Sequence, residues 1–398
     1  MERSALGVDM FQRDEMLQQR IATIESYIYR ESIDLNDIRC SESVGTPEIE
    51  SRFDVSEAKP SFNDKNWRKI KAGDAWGKKP DSLAWFRIPF TIPKEFAGKT
   101  LDIWIDVGGM GSGGFRSECL AYVDGKIKQG IDRNHFHLRL CEKATAGKKH
   151  LLAVEAFTGV HLTNHSFVAV KLMVVDPATQ DLYYDAKVAY DGMKRMDENS
   201  RERARLEDVL NETFHLIDMS FADVPLSEGE IYGNPYKFII PNFDNHYTTS
   251  DAFYESVEKA GRYLKREFYS KHKSPTADEK VVMVGHAHID VAWLWRLAHS
   301  RKKCGRTFST VLELMDRYPD FNFFQSQPLL YQYTKENYPE LYKRIKERVK
   351  DKRWEANGAA WVEMDTNVPS GESLVRQFLF GKRFLKEEFG YDSRVMWL

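Results

Sequence analysis

The sequence predicts a multidomain α and β chain: an antiparallel β-sandwich first, a helical connector next, and a parallel β/α unit last. Three observations predict it. Between Trp67 and Asp176, short apolar runs are separated by turn residues, as in antiparallel strands at close spacing. From 177 to 278 the chain is charged, with apolar positions at helical spacing. From Glu279 on, strand and helix patterns alternate, which implies a parallel sheet with right-handed crossovers. The expected domains are 1–66, 67–176, 177–278 and 279–398.

Taken in order, residues 9 to 31 carry Met16, Ile21, Ile24, Tyr27 and Ile28 at helical spacing and read as an amphipathic helix. Residues 36 to 66 lack periodicity and read as an irregular connector. The strands of the sandwich are AWFRIPFTI, TLDIWIDVG, CLAYVDGK, FHLRLC, HLLAVEAFT and FVAVKLMVV, with Asp124-Gly125 as a hairpin turn. The glycines 108, 109, 111, 113 and 114 make a mobile loop. No GK[ST] follows, so it is not a phosphate loop. His135 and His137 sit in a cluster better read as a hydrogen-bonded loop than as a metal site. Helices are expected over 178–221 and 251–272, with a Pro- and Gly-bearing connector over 222–250. Strands at 281–285, 322–325, from 353 and from 394 alternate with helices near 303–317, 338–350 and 374–389.

Composition narrows the function. Hydrophobic residues at 42% and charged residues at 30% describe an ordinary water-soluble protein. A net charge of −2 argues against general nucleic-acid binding. No run reaches transmembrane length, and the N-terminus lacks the apolar core of a signal peptide. The four cysteines, Cys40, Cys119, Cys141 and Cys304, form no CxxC pair. They read as reduced thiols in a cytoplasmic protein. The sandwich reads as structural or oligomerising, which leaves a homo-oligomer open.

The chemistry concentrates in VVMVGHAHIDVAWLWR, Val281 to Arg296. A β-branched run ended by Gly285 reads as a buried strand. In extended backbone, residues two apart face one way, so His286, His288 and Asp290 share a side past the strand's carboxyl end. Open α/β sheets and barrels place ligands at that end. Imidazole and carboxylate together suit Zn²⁺ or a similar divalent ion. Trp293 and Trp295 follow, and at least one of them is expected in the core.

GHAHIDVAWLWR and the later block AAWVEMDTNVPSGESLVRQ resemble two catalytic-domain motifs of the α-mannosidases of glycoside hydrolase family thirty-eight, closest to the cytosolic and bacterial branch. WFRIPFTIP and VDGK extend the resemblance to the first third of the chain. The resemblance implies a jelly-roll-like sandwich followed by the first half of a seven-stranded parallel β/α barrel. It implies zinc-dependent, retaining hydrolysis of terminal α-mannosides, with a mannose-containing oligosaccharide as partner and neither nucleic acid nor membrane. His288 and Asp290 match two metal ligands, for one Zn²⁺. Trp293 matches the aromatic on which the sugar packs. Asp365 matches a substrate-binding carboxylate, and His286 supports a ligand or substrate group. Glu363 and Asn367 read as loop-stabilising, Ser370 as a helix cap, Arg376 as an ion-pair partner and Cys304 as inert. Gln325, Ser326 and Gln327 end a strand beside the pocket.

In the family, the block resembling Met396-Trp397-Leu398 runs on to the nucleophile, and the general acid lies further still. The expectation is therefore an N-terminal portion of a longer enzyme. It would carry no catalytic carboxylate, be inactive alone and hold its metal weakly. Two other readings stand beside this one. One is a metal-dependent deacetylase or amidohydrolase on a related barrel, and the other is a carbohydrate-binding or assembly module.

Overall fold

The computed structural model describes residues 3–44, 53, 55–108, 117–132, 134–159, 165–219, 251–270 and 281–397. The expected 222–250 connector and most of the Gly108–Gly114 loop lie outside them. Helix α1 (Arg3–Ser26) leads into strands β1 (Tyr29–Asp34), β2 (Ile38–Val44), β3 (Arg68–Ile70), β4 (Ala75–Trp76), β5 (Ser82–Thr91) and β6 (Thr100–Asp106). Then come β7 (Glu118–Val123), β8 (Lys126–Ile131), β9 (His137–Cys141), β10 (Lys149–Phe157), β11 (His165–Ser166) and β12 (Ala169–Val175). Helices α2 (Pro177–Met193), α3 (Arg201–His215) and α4 (Asp251–Leu264) follow. The last third holds β13 (Gly285–His286), α5 (Leu297–Arg317), β14 (Phe323–Gln325), α6 (Pro328–Asn337), α7 (Pro339–Lys350), β15 (Trp354–Ala356) and α8 (Gly371–Phe389).

The strands up to β12 form a sandwich. One sheet has the order β1-β12-β6-β9 and the other β3-β2-β5-β10-β7-β8, all antiparallel. Period-two alternation sends Leu152, Val154 and Ala156 of β10 into the core between the sheets, with Ile88, Ile103 and Leu172. The expected hairpin is present: Asp124 and Gly125 have φ of 53° and 82°, the left-handed pair of a type I′ turn.

Three expectations are corrected here. The first helix ends at Ser26 instead of reaching 31, and the connector expected over 36–66 contains β2. Both β1 and β2 belong to the sandwich, which therefore starts well before residue 67. Neither strand has an apolar alternation long enough to read. In IRCSESV Ile38 and Cys40 reach the core, and the ladders to β3 and β5 hold the strand in its sheet. The helix expected over 178–221 is two helices, broken where Ser200 caps α3 by accepting from Arg203 N.

Leu17, Ile21 and Ile24 of α1 pack with Leu182, Leu210 and Phe253 of α2, α3 and α4 in a separate helical core. It meets the sandwich edge at a buried polar junction. There Asp102 pairs with Arg139, and His137 stacks on Tyr29 at 4.9 Å while bonding its hydroxyl at 2.8 Å. That is the hydrogen-bonded role expected of this histidine. His135 likewise bonds Asp132 at 3.0 Å.

Burial pushes His137 down to about 4, helped by Arg317, and burial pushes His299 down to about 4 as well. The unfolded chain binds these protons near the ordinary value of 6.5, and the folded chain refuses them. Stability is therefore expected to be full above about pH 6.5, to fall as pH drops toward about 4, and to lose nothing further from these groups below that. Denaturant melts at stepped pH check this. His137→Gln should flatten the slope, and an unchanged slope would contradict the assignment.

The outer face of the six-stranded sheet is covered by α5. Leu120, Tyr122 and Ala153 join Cys304, Phe308, Val311 and Leu312 in a third core. Strands buried on both faces explain why ECLAYV reads as nearly continuous apolar sequence. At Gly130 the two elements touch, since a Cβ there would lie 3.0 Å from Arg306 O. Instead Gly130 N donates to Thr310 Oγ1 at 3.0 Å. Around this contact, acidic residues of the sandwich meet basic residues of α5. Glu155 pairs with Lys302 at 2.6 Å, and Glu118 pairs with Lys303 and Arg306. Burial alone would raise the Glu118 carboxyl, but the two cations outweigh it and hold it below its ordinary value.

Strands β13, β14 and β15 form a parallel sheet in that order, and Gly358 and Met396 add a parallel bridge where a fourth strand was expected. The β-α alternation is thus present. Among the described residues the sheet does not close on itself. The expected buried strand over 281–285 is corrected: only Gly285 and His286 pair, while Val281 is 86% exposed and Val282 and Met283 are similar. β13 is an edge strand with β14 on one side, so its apolar lead-in finds no second neighbour among the described residues.

Candidate active site

The site lies at the carboxyl ends of β13, β14 and β15. Gly285 lets the strand pass close to a ring there: a Cβ would sit 2.9 Å from Phe321 and push it aside. Beyond β13 the chain stays extended enough to alternate. Ile289 is buried in the third core, while His288 and Asp290 turn away from it. His288 Nε2 lies 3.1 Å from Asp290 Oδ1. The structure therefore brings together the two residues expected to bind metal. His286 turns to the sheet side, against the rings of Trp397 at 5.0 Å and Phe324 at 5.5 Å.

Glu363 is the residue whose importance sequence reasoning missed. Its carboxylate is 4% exposed. It faces His288 Nδ1 in a close ion pair, lies 3.5 Å from His286 Nε2, and accepts from Ser326 Oγ. Gln325 Nε2 donates to Ala287 O at 3.0 Å, and Gln327 Nε2 donates to Ile289 O at 2.9 Å. Gln327 Oε1 accepts from Glu363 N at 3.3 Å. The fully buried Gln325, Ser326 and Gln327 thus tie the first motif to the second. The available signal was their i, i+2 spacing at a strand end, together with polar side chains inside an apolar segment.

Electrostatics follow from this geometry. Burial pulls the His288 imidazole down, but Asp290 and Glu363 outweigh it and raise it above its ordinary value. Burial lowers His286, and Glu363 offsets this only in part. Cys304, buried, has its thiol pushed up to about 12 by burial, in keeping with an inert role.

The other expected residues sit as follows. Trp293 is 65% exposed and meets Trp295 edge-on at 5.5 Å. Neither indole is in the core, contrary to expectation. Trp295 is half-buried, donating to Ser300 Oγ at 3.0 Å with Lys303 4.4 Å from its ring. The stretch 291–295 is a series of bends, and α5 starts only at Leu297, so no helix turns one of the two indoles inward. Asp365 is exposed and accepts from Asn367 N at 2.6 Å. Ser370 caps α8 by accepting from Ser373 N, and Arg376 pairs with Glu372. From α8, Gln377 holds Trp361 N and Val362 N through its backbone and side-chain oxygens, both at 3.0 Å. Gly381 permits this, because a Cβ there would lie 2.0 Å from Ala359 O.

A cavity of about 790 Å³ opens between this edge and the sandwich, lined by His286, His288, Trp295, Arg306, Asp132 and His135 among others. The imidazole–carboxylate pair His288 and Asp290 suits a divalent cation as part of a ligand set. His286 Nε2 and Glu363 Oε2 are buried beside it with no hydrogen bond. Among the described residues, no group of three His, Cys, Asp or Glu is arranged to hold a metal.

Residues 278–398 match the glycosyl hydrolases family 38 N-terminal domain, and residues 44–189 match the alpha-mannosidase jelly roll domain. The last third of the chain belongs to the family 38 glycosyl hydrolases, as the N-terminal domain of that family. The chain is 30% identical to alpha-mannosidase G of Dictyostelium discoideum, over 94% of this chain and 33% of that one. It is 29% identical to alpha-mannosidase 2C1 of Homo sapiens, over 84% of this chain and 30% of that one. The alpha-mannosidase of Saccharomyces cerevisiae is 39% identical over 36% of this chain and 14% of its own. The chain thus spans about a third of the length of the relatives that match most of it. No helix among the described residues is long and apolar enough to cross a membrane.

Proposed function

We propose that this chain contributes to an α-mannosidase active site for retaining hydrolysis of terminal α-mannosides. The observation that carries the reading is the convergence of His288 and Asp290, 3.1 Å apart at a strand end, with exposed Trp293 three residues on. His288 and Asp290 would hold one Zn²⁺. Bound there, the ion would act as a Lewis acid that grips sugar hydroxyls. Trp293 offers an aromatic face on which a mannose ring packs. Asp365 keeps an exposed carboxylate for further hydroxyls, and His286 steadies the floor of the site. On this reading the parallel sheet is part of a larger β/α barrel, supported by the fourth strand position at Met396. The two carboxyls of a retaining glycosidase are not assigned to residues of this chain. Four cysteines without a disulfide fit a cytoplasmic setting.

The test is release of an aryl leaving group from an aryl α-mannoside with added Zn²⁺, on this chain and on a form as long as the relatives. Activity is expected in the longer form, and His288→Ala or Asp290→Ala should remove it. A longer form that leaves α-mannosides intact but cleaves acetylated substrates would overturn the reading.

A further inference from the structure

Between Asp290 and the start of α5 the chain forms neither helix nor strand, yet this turn carries Trp293. Its path needs a tie from outside. Ala292 has φ of 63°, in the left-handed region that residues with a Cβ rarely adopt. The tie is a single hydroxyl. Ser300, in the first turns of α5, is fully buried. Its Oγ accepts from Ala292 N at 3.1 Å and from Trp295 Nε1 at 3.0 Å, and it donates to Asp290 O at 3.4 Å. A hydroxyl offers two acceptor positions and one donor, and the turn 290–295 uses all three.

The same hydroxyl reaches Trp293 through a ring contact. Ser300 pins the Trp295 indole, which meets Trp293 edge-on at 5.5 Å. The far end of the turn has another anchor, the Arg296–Asp81 pair at 2.7 Å. The Arg296 side chain is 49% exposed, and exposed ion pairs contribute little. The buried hydroxyl is therefore the stronger constraint. A hydroxyl serving only its own helix would bond a carbonyl one turn back. Ser309 and Thr310 of α5 do that, both donating to Arg306 O. Ser300 bonds the turn instead.

We propose that Ser300 is a positioning residue: its hydroxyl sets the Trp295 indole and, through it, the angle of the Trp293 face against Asp290. The sugar-packing part rests on the reading proposed above; the coupling of both indoles to Ser300 does not.

Two measurements separate these parts. On the 398-residue chain, the indole N–H signals of Trp293 and Trp295 can be followed by nitrogen-15 NMR and assigned with Trp293→Phe and Trp295→Phe. Ser300→Ala is expected to shift both signals and to speed hydrogen exchange at Trp295, with circular dichroism unchanged. If either signal stays in place, the proposal is overturned. On a form as long as the relatives, at saturating Zn²⁺, Ser300→Ala should raise KM for an aryl α-mannoside about 5–10-fold and leave kcat within about twofold, as expected for lost uniform binding. Trp295→Phe, which keeps a ring and loses the donor, should move KM the same way. In a Trp293→Ala background, Ser300→Ala should add almost nothing, because it acts through that ring. Losses that add, or a fall in kcat at unchanged KM, overturn the sugar-packing part. A wild-type long form that leaves the α-mannoside intact defeats the mannosidase reading, and the indole signals then decide the role of Ser300 alone.

Discussion

Glu155→Ala is expected to cost about 3–5 kcal/mol of folding stability, because it takes a carboxylate partner from the Lys302 ammonium at a buried interface. Glu155 and Lys302 are 9% and 7% exposed and lie 2.6 Å apart, between β10 and α5. An exposed ion pair would contribute only about 0–1 kcal/mol. Here the penalty comes from desolvation, which the other contacts of Lys302, the Phe53 ring at 4.6 Å among them, offset only in part. Replacing both residues, as Glu155→Leu with Lys302→Met, should therefore restore much of the loss, since apolar substitutes at buried pairs are often neutral or better. Urea melts of the two single variants and the double variant measure this. A loss below about 1 kcal/mol for the single change would mean that water reaches the pair. The consequence reaches the site, because α5 follows directly on the motif that carries His288 and Asp290. Its seat on the sandwich fixes where that motif ends.

Trp354→Ala is expected to cost a similar amount, about 3–5 kcal/mol, as a large core truncation. Trp354 is 1% exposed and packs against Phe323 at 4.7 Å and Phe308 at 5.4 Å. Its Nε1 donates to Tyr331 Oη at 2.8 Å, and Tyr331 Oη in turn donates to Gln325 O. The cavity left behind would sit under the strand ends that present Gln325 and lead to Glu363. Trp354→Phe should recover most of the packing while losing only the hydrogen bond. Thermal melts of both variants provide the check, and equal losses in the two would place the hydrogen bond above the packing.

Much of the fold was legible because burial imposes a period. The six runs of the sandwich, the Asp-Gly turn and the β-α order of the last third each carry a readable pattern, and they appear in the predicted order. β1 and β2 were not legible. Their inward positions are too few to set a period, and they are held by hydrogen-bond ladders that the sequence does not display. The lead-in Val281–Met283 failed in the opposite way. It has the composition of a buried strand, but burial also needs a neighbour on each side, and β13 has one among the described residues.

At the site, the sequence by itself determined that His288 and Asp290 face one way, because two-residue spacing in extended backbone leaves no other choice. It also determined the caps and turns, where one residue type meets one local geometry. Only the tertiary structure decided that Glu363 and not Asp365 meets His288, and that a buried Gln-Ser-Gln run joins the motifs. It alone decided that Trp293 stands in solvent while Trp295 leans on α5. These contacts link residues tens of positions apart, and their energy depends on desolvation and packing. Neither exists until the sheet brings the strand ends together.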